Sequence, residues 1–451
     1  KILERTACEF TDKEIIIRLE IGFVANGRTI NATELEKILF DFLPKCIESV
    51  FYYKKLNAQE VLSVIHLAED QTAIRRQLTE KHLVCFIANG SILPRESGIS
   101  DKPLKNAISF ESPSSLLIEL SLPRGRKISG MGLKKGITLI VGGGYHGKST
   151  LLNAIEAGVY NHIKGDGREY VITNDTAVKL RAEDGRCIKN TDISLFINDL
   201  PNKKDTLHFS TENASGSTSQ SANVVEAIEA GSELFLIDED TSATNFMVRD
   251  ELMQNIVTRD KEPITPFLER VTDLYKQSGI STILVAGSSG AYFYAADTIL
   301  QMDCYHTKEI TDTVKEKCSM TTAPSLFAPN YRIPHFQRTL FSKETNFRPN
   351  DRIKLKFLGK DAFQIDRQTV DLRYVEQLID AEQTACLAHL LKYTILHYSK
   401  SKQTVQEIVT ELTKRIKTKG LSSICDASYV SLGLALPRPQ EIYACFNRYR
   451  E

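Results

Sequence analysis

The 451-residue sequence has no tryptophan, no Cys-x-x-Cys pair, no excess of either charge and no apolar run near the ~20 residues that cross a bilayer. The last absence excludes a membrane-embedded chain. Nine cysteines, at 8, 46, 85, 187, 304, 318, 386, 425 and 445, are scattered and odd in number. That usage argues against both a disulfide framework and a zinc site, and for a reducing soluble compartment. With 57 basic and 57 acidic residues, no global field advertises a nucleic-acid partner. The balance is uneven along the chain, however. Residues 331–451 hold 20 Lys and Arg against 13 Asp and Glu, so a net +7 there offsets a net −7 over residues 1–330. A basic terminal third on an acidic body fits a polyanionic partner or a solvated charged surface equally. The first residue is Lys1 rather than Met, and a segment upstream of it is expected.

What is present is concentrated in residues 137–150, ITLIVGGGYHGKST, where an apolar run breaks into glycines and ends in Gly147-Lys148-Ser149. This is G-x-x-x-x-G-K-[ST] counted from Gly142. Gly142, Gly143 and Gly144 let the backbone curl so that successive N–H groups point at phosphate oxygens, and a helix beginning near Gly147 adds its positive end. Lys148 is placed to bridge the β- and γ-phosphates, Ser149 to hold Mg²⁺, and Thr150 to assist both. The pattern calls for a nucleoside triphosphate. With no indole in the chain, its base has only Tyr, Phe or His to stack on, and Phe110 is the candidate.

Length suggests two to three domains. Residues 1–110 read as a mixed α/β domain, with a strand pair near Ile15–Leu19 and before Gly27, helices over 33–43 and 58–78, and a buried strand within 83–94. Arg75, Arg76 and Arg95 could touch a ligand there. Residues 111–312 form the nucleotide core and 313–451 a basic α+β domain. Two Asp-Gly pairs, at 166–167 and 184–185, predict hairpin turns in a small antiparallel meander, with Arg168 and Arg186 as secondary candidates for nucleotide or partner contact.

Further on, TENASGSTSQ at 211–220 is a small-residue turn opening a helix, and LFLIDED at 234–240 is a strand ending in acids. Asp238 is placed to complete the Mg²⁺ shell and Glu239 to polarise the attacking water. This order, phosphate loop, small-residue turn, acid pair, is that of an ATP-binding cassette. There the helix N-terminus at Ser215, Gly216 and Ser217 caps the γ-phosphate held by a second copy, which implies a head-to-tail homodimer around two ATP molecules. STILVAGSSG at 281–290 is another core strand, but Ser288 and Ser289 stand where cassettes place a switch histidine. No glutamine lies between Ser149 and Gln220 to sense Mg²⁺. Both absences point to slow hydrolysis.

Residues 321–350 read as a wrapping connection. RIKLKFL at 352–358 alternates and puts Arg352, Lys354 and Lys356 on one strand face. Amphipathic helices are predicted over 370–398 and 403–418, the second ending in Lys414, Arg415, Lys417 and Lys419.

With these residues in view, the chain resembles the soluble, stand-alone ATPases of the ABC class. GGGYHGKSTLL, YNHIKGDGRE, RAEDGR, NASGSTSQ, LIDEDTSATNF and EPITPF carry the likeness, as do LPRESG at 93–98, Gly130-Met131-Gly132 and LALPRPQEIYACFNR at 434–448. One departure is Ala291, where the family has an acid. The fold implied is α/β, an ABC-type P-loop ATPase core between a mixed α/β N-terminal and an α+β C-terminal domain. The composition resembles the kinetoplastid mitochondrial branch associated with RNA-editing complexes. That likeness implies a mitochondrial homodimer with a basic pore that accepts single-stranded RNA, with editing-complex proteins as partners. The expected activity is an ATP-dependent clamp needing ATP and Mg²⁺. The rival is a slow or inactive nucleotide-binding scaffold that docks protein partners.

Overall fold

The computed structural model describes residues 1–249, 256–257, 261–287, 289–321, 323, 328–341, 353–425 and 429–450. Two small hairpins open the chain, β1 (Cys8–Phe10) with β2 (Ile15–Ile17) and β3 (Ala25–Asn26) with β4 (Thr29–Ile30). Helices α1 (Ala32–Lys37) and α2 (Leu43–Phe51) follow, joined by a wide turn of helix over 38–42, and none of their residues is buried. The long α3 (Ala58–Glu80) is capped by Asn57, whose side chain accepts from the N–H groups of Gln59 and Glu60.

Strand β5 (Leu83–Ala88) is buried at every position. With β6 (Leu117–Ser121), β7 (Lys127–Lys134) and β9 (Val171–Thr173) it forms an antiparallel sheet in the order β6-β7-β5-β9. The close β5–β7 pairing needs Gly130, since a Cβ there would lie 2.2 Å from the Ile87 carbonyl oxygen.

The central sheet runs β10 (Val178–Leu180), β13 (Leu234–Asp238), β14 (Ser281–Val285), β8 (Ile137–Val141), β15 (Thr298–Asp303) and β16 (His306–Glu309), parallel except for the last. Its middle strands β13, β14 and β8 are buried at every position but Val141, because helices cover both faces. One layer packs Leu139, Phe235 and Ile237 against Phe196, Phe246 and Phe267; the other packs Ile140, Leu236 and Ile283 against Leu151, Leu152 and Ile155 of α4 (Lys148–Ala157). The predicted meander over 165–186 does not form. Gly167 and Gly185 turn with φ of 81° and 84°, but β9 pairs antiparallel with β5 while β10 joins the central sheet beside β13. Asp166 and Asp184 keep negative φ, so these are single-glycine turns rather than hairpin turns needing two left-handed residues.

A two-stranded ribbon, β11 (Ile188–Thr191) with β12 (Phe209–Thr211), precedes α5 (Gly216–Glu229). The terminal third has its own core, in which the meander β17 (Leu355–Phe357), β18 (Ala362–Ile365) and β19 (Gln368–Asp371) packs with helices Ala381–Tyr398, Val405–Lys419 and Pro439–Arg448 around Phe363, Leu387, Leu412 and Phe446. The helix predicted from 370 begins only at Ala381, because 368–371 completes the meander. No helix among the described residues is long and apolar enough to cross a membrane.

Candidate nucleotide-binding site

The phosphate loop sits at the carboxyl end of β8, a buried run of β-branched and leucine residues that fixes where the turn begins. Gly142 has φ 145°, and a Cβ on it would lie 2.3 Å from the Met302 carbonyl oxygen. Gly147 has φ 98° and the Tyr305 ring 2.8 Å from its Cβ position. Gly147, the N-cap of α4, has no side chain to cap the first turn, which leaves its leading N–H groups to an anion. The Lys148 ammonium donates to the carbonyl oxygens of Gly142 (2.7 Å) and Gly143 (2.9 Å), which holds it over the loop. Gly143, Gly144 and Ser149 are exposed at the mouth, and Thr150 is half-buried.

The acid pair arrives on β13, one strand away from β8. Asp238 pairs in register with Val285 of β14, and Val285 with Ile140 of β8, so the three strand ends lie side by side. The Asp238 carboxyl accepts from the Asp240 N–H at 3.2 Å. Burial holds its pKa above the usual aspartate value, against that N–H and Lys179, which lower it. A buried carboxyl in that condition gains from a cation, and with the Ser149 hydroxyl it is a donor set for Mg²⁺. Glu239 Oε2 accepts from the Gly287 N–H at 2.6 Å, which ties the candidate base to the turn after β14. Of the two serines expected beyond that turn, Ser288 lies outside the described residues, and the Ser289 hydroxyl accepts from the Ala291 N–H.

The small-residue turn lies elsewhere. Ser215 precedes α5 and is exposed, its hydroxyl paired with Thr218 Oγ1 at 2.9 Å; Gly216 is half-buried and Ser217 buried. The nearest side chains to Gly216 are those of Asp184, Ala182 and Ala243, and no phosphate-loop residue is among them. Gln220 of this helix donates to Ser242 Oγ (2.9 Å) and accepts from the Ala243 N–H (2.8 Å), joining α5 to the segment that follows the acid pair.

Other candidates are spent on the protein itself. Phe110 is 3% exposed and belongs to the core under β5, so its ring cannot stack on a base. Arg168 is buried against the Leu93 carbonyl, Arg186 pairs with Glu226 and Asn223, Arg95 with Asp166, and Arg75 donates to the Thr173, Gly158 and Val159 carbonyls. Arg76 lies along its own helix with Glu80. Of the basic candidates, Arg352 lies outside the described residues. Lys354 and Lys356 are exposed at and beside β17, and Lys414 is exposed. Arg415 differs: its guanidinium covers the Tyr393 ring at 5.0 Å and donates to the Ser423 carbonyl.

Sequence reasoning missed the turn 303–306, which buttresses the phosphate loop. The Cys304 N–H donates to His146 Nδ1 and the Tyr305 N–H to the His146 carbonyl, both at 3.0 Å. Cys304 and Tyr305 are both left-handed, with φ of 49° and 68°. Asn-Gly would have signalled such a turn; Cys-Tyr does not.

Residues 57–335 match the model of the ABC ATPase P-loop domain, residues 1–54 that of the N-terminal domain of ATPases of the ABC class, and residues 354–451 that of the MRB1590 C-terminal domain. An uncharacterized protein of Methanocaldococcus jannaschii, MJ1628, is 35% identical over 230 residues, 49% of this chain. The chain spans about half the length of that curated relative. Among solved structures, cbiO1 from Clostridium perfringens, part of the ABC transporter complex cbiONQ, aligns over 52% of this chain and 92% of its own, at 11% identity and a TM-score of 0.31. MJ1267, an ATP-binding cassette of an ABC transporter in its ADP conformation, aligns over 52% and 95%, at 15% identity and a TM-score of 0.30.

Proposed function

The chain belongs to the ATPases of the ABC class, and from that premise we propose that it binds Mg-ATP in a sandwich homodimer, hydrolyses it slowly and grips single-stranded RNA. The observation that carries the nucleotide reading is that the Lys148 loop leaves the same end of the sheet, on β8, as Asp238 and Glu239 do on β13, with β14 and its Gly287 turn between them. Lys148 and the α4 N–H groups bind phosphate, while Ser149, Thr150 and Asp238 are the residues that would hold Mg²⁺. When bound, that ion neutralises phosphate charge. Glu239 takes the proton of the attacking water once its carboxylate leaves the Gly287 N–H. Ser215, Gly216 and Ser217 cap the γ-phosphate of the second copy, a reading supported by the side chains nearest Gly216 being those of Asp184, Ala182 and Ala243 rather than of its own phosphate loop.

RNA binding rests on the exposed Lys354, Lys356 and Lys414 and on the +7 charge of the terminal third. The match of residues 354–451 to the MRB1590 C-terminal domain is what favours the kinetoplastid branch, and a mitochondrial location and RNA-editing partners are part of the proposal that rests on the sequence resemblance alone. Glu239→Gln should lower turnover by ~10²–10⁴ and accumulate an ATP-bound dimer, read by phosphate release and light scattering. Unchanged turnover with a monomeric profile in ATP would overturn the assignment.

A second reading is the nucleotide-controlled scaffold. It is favoured by the Glu239 carboxylate being engaged by Gly287 and by the absence of histidine from 281–290. It calls for single-turnover behaviour even when protein partners are present.

A further inference from the structure

Beside the phosphate loop lies a cluster of ligand-type side chains that nucleotide binding does not use. His146 stands two residues before Lys148, and the turn joining β15 to β16 brings Asp303 and Cys304 to it. An imidazole nitrogen, a carboxylate oxygen and a thiol sulfur lie within 4.8 Å of one another. His146 Nδ1 and Asp303 Oδ1 are 3.4 Å apart. Two ligands at zinc bond lengths of about 2.0–2.1 Å, subtending the tetrahedral angle, stand about 3.3 Å apart, so this pair is already at metal spacing. The other Asp303 oxygen is held by the Lys308 ammonium at 2.9 Å, which leaves Oδ1 directed to the cluster. All three side chains are solvent-accessible, so a cation has an entry path. As thiolate, carboxylate and neutral imidazole they carry two negative charges, the number a divalent ion neutralises.

We propose that His146, Asp303 and Cys304 form a site for a thiophilic divalent cation of the Zn²⁺ class, and that its occupancy ties the phosphate loop to the β15–β16 turn. Mixed S, N and O donors select zinc or cobalt over magnesium, which prefers oxygen alone. Three protein ligands leave a fourth position for water or another ligand. On binding, Nδ1 exchanges the Cys304 N–H for the metal, and the thiol releases its proton to solvent. The Tyr305 N–H to His146 carbonyl bond is untouched, so the loop is then held at both its main chain and its side chain. Strand spacing alone could not reveal the site, since its members stand 158 residues apart.

The test uses the full chain without nucleotide, reduced and freed of metal, titrated with Co²⁺. One equivalent should produce a thiolate-to-cobalt charge-transfer band that Zn²⁺ abolishes and excess Mg²⁺ does not. Cys304→Ser should remove the band, Asp303→Asn should weaken affinity at least tenfold, and Cys46→Ser, which alters an exposed thiol on α2, should leave it intact. Amide exchange over 143–147 should slow in Zn²⁺. A band that survives Cys304→Ser, or no band at one equivalent, overturns the site; metal binding with unchanged exchange overturns the tie to the loop.

Discussion

Gly142 and Gly144 sit two positions apart in one loop and carry different constraints. Gly142 holds φ 145° with backbone at 2.3 Å from its Cβ position, whereas Gly144 has no neighbour within 4 Å and no positive φ. Gly142→Ala should therefore cost about 1–3 kcal/mol of backbone strain plus a clash that moves β15, and weaken nucleotide binding at least tenfold. Gly144→Ala should leave thermal stability within about 0.5 kcal/mol. Melting curves and nucleotide titrations of the two variants decide this, and equal losses would sink the argument. Tyr145 makes the same point from the other side. It adopts φ 63° with its side chain fully exposed, so packing within the chain does not offset the strain.

Elements are joined here by buried charge as well as by apolar contact. Three positions of α5, Asn223, Glu226 and Glu229, face Arg186, Arg448 and Arg338, while Arg448 also pairs with Glu183 and Arg338 with Asn447. Helix α5, which Ser215 precedes, is thus fastened to the C-terminal helix Pro439–Arg448. Removing one partner would leave a buried charge uncompensated, a loss larger than the pair's net worth. A second buried acid gives a pH signature. Burial pushes the Glu156 carboxyl on α4 up to about 7, while Lys179 on β10 opposes the shift and Glu376 adds to it. Its folded pKa exceeds the unfolded value near ~4.3, so the folded state binds the extra proton. This contribution is fully present below pH ~4.3 and is lost as pH rises through about 7, a fall of about 4 kcal/mol in all, of which about 2.5 kcal/mol lies between pH 5 and pH 8. Urea unfolding at pH 5 and pH 8 should show that fall, and Glu156→Gln should flatten it. A variant with the same slope as the parent would refute the assignment.

At the scale of the whole molecule, charge is segregated: the acidic body carries the nucleotide site and the basic third carries Lys354, Lys356 and Lys414 at its surface. Single-stranded RNA binding, followed by anisotropy at two salt concentrations, should weaken with a log–log slope near −0.7 per phosphate neutralised, and should change on adding Mg-ATP. Lys354→Ala with Lys356→Ala should lower the slope by roughly 1–2. No binding under any condition would leave the scaffold reading in its place.

The phosphate loop, the acid pair and the α/β class were legible from order alone, because β8 and β13 are apolar runs whose ends need glycine and acid for local reasons. The N–H geometry of Gly142 and the helix start at Lys148 follow from residues within ten positions of each other. Pairing partners were not legible. β9 and β10, separated by four residues, enter different sheets, since which edge a three-residue strand joins depends on distant backbone already in place. The burial of Phe110 and the arginines of the Asp-Gly turns was likewise hidden, as a guanidinium's acceptors are carbonyls presented by remote elements. Hidden too was the contact of His146 with Asp303 and Cys304. Only the closure of β15 beside β8 brings them together, and no spacing along the chain encodes a neighbour delivered by the sheet.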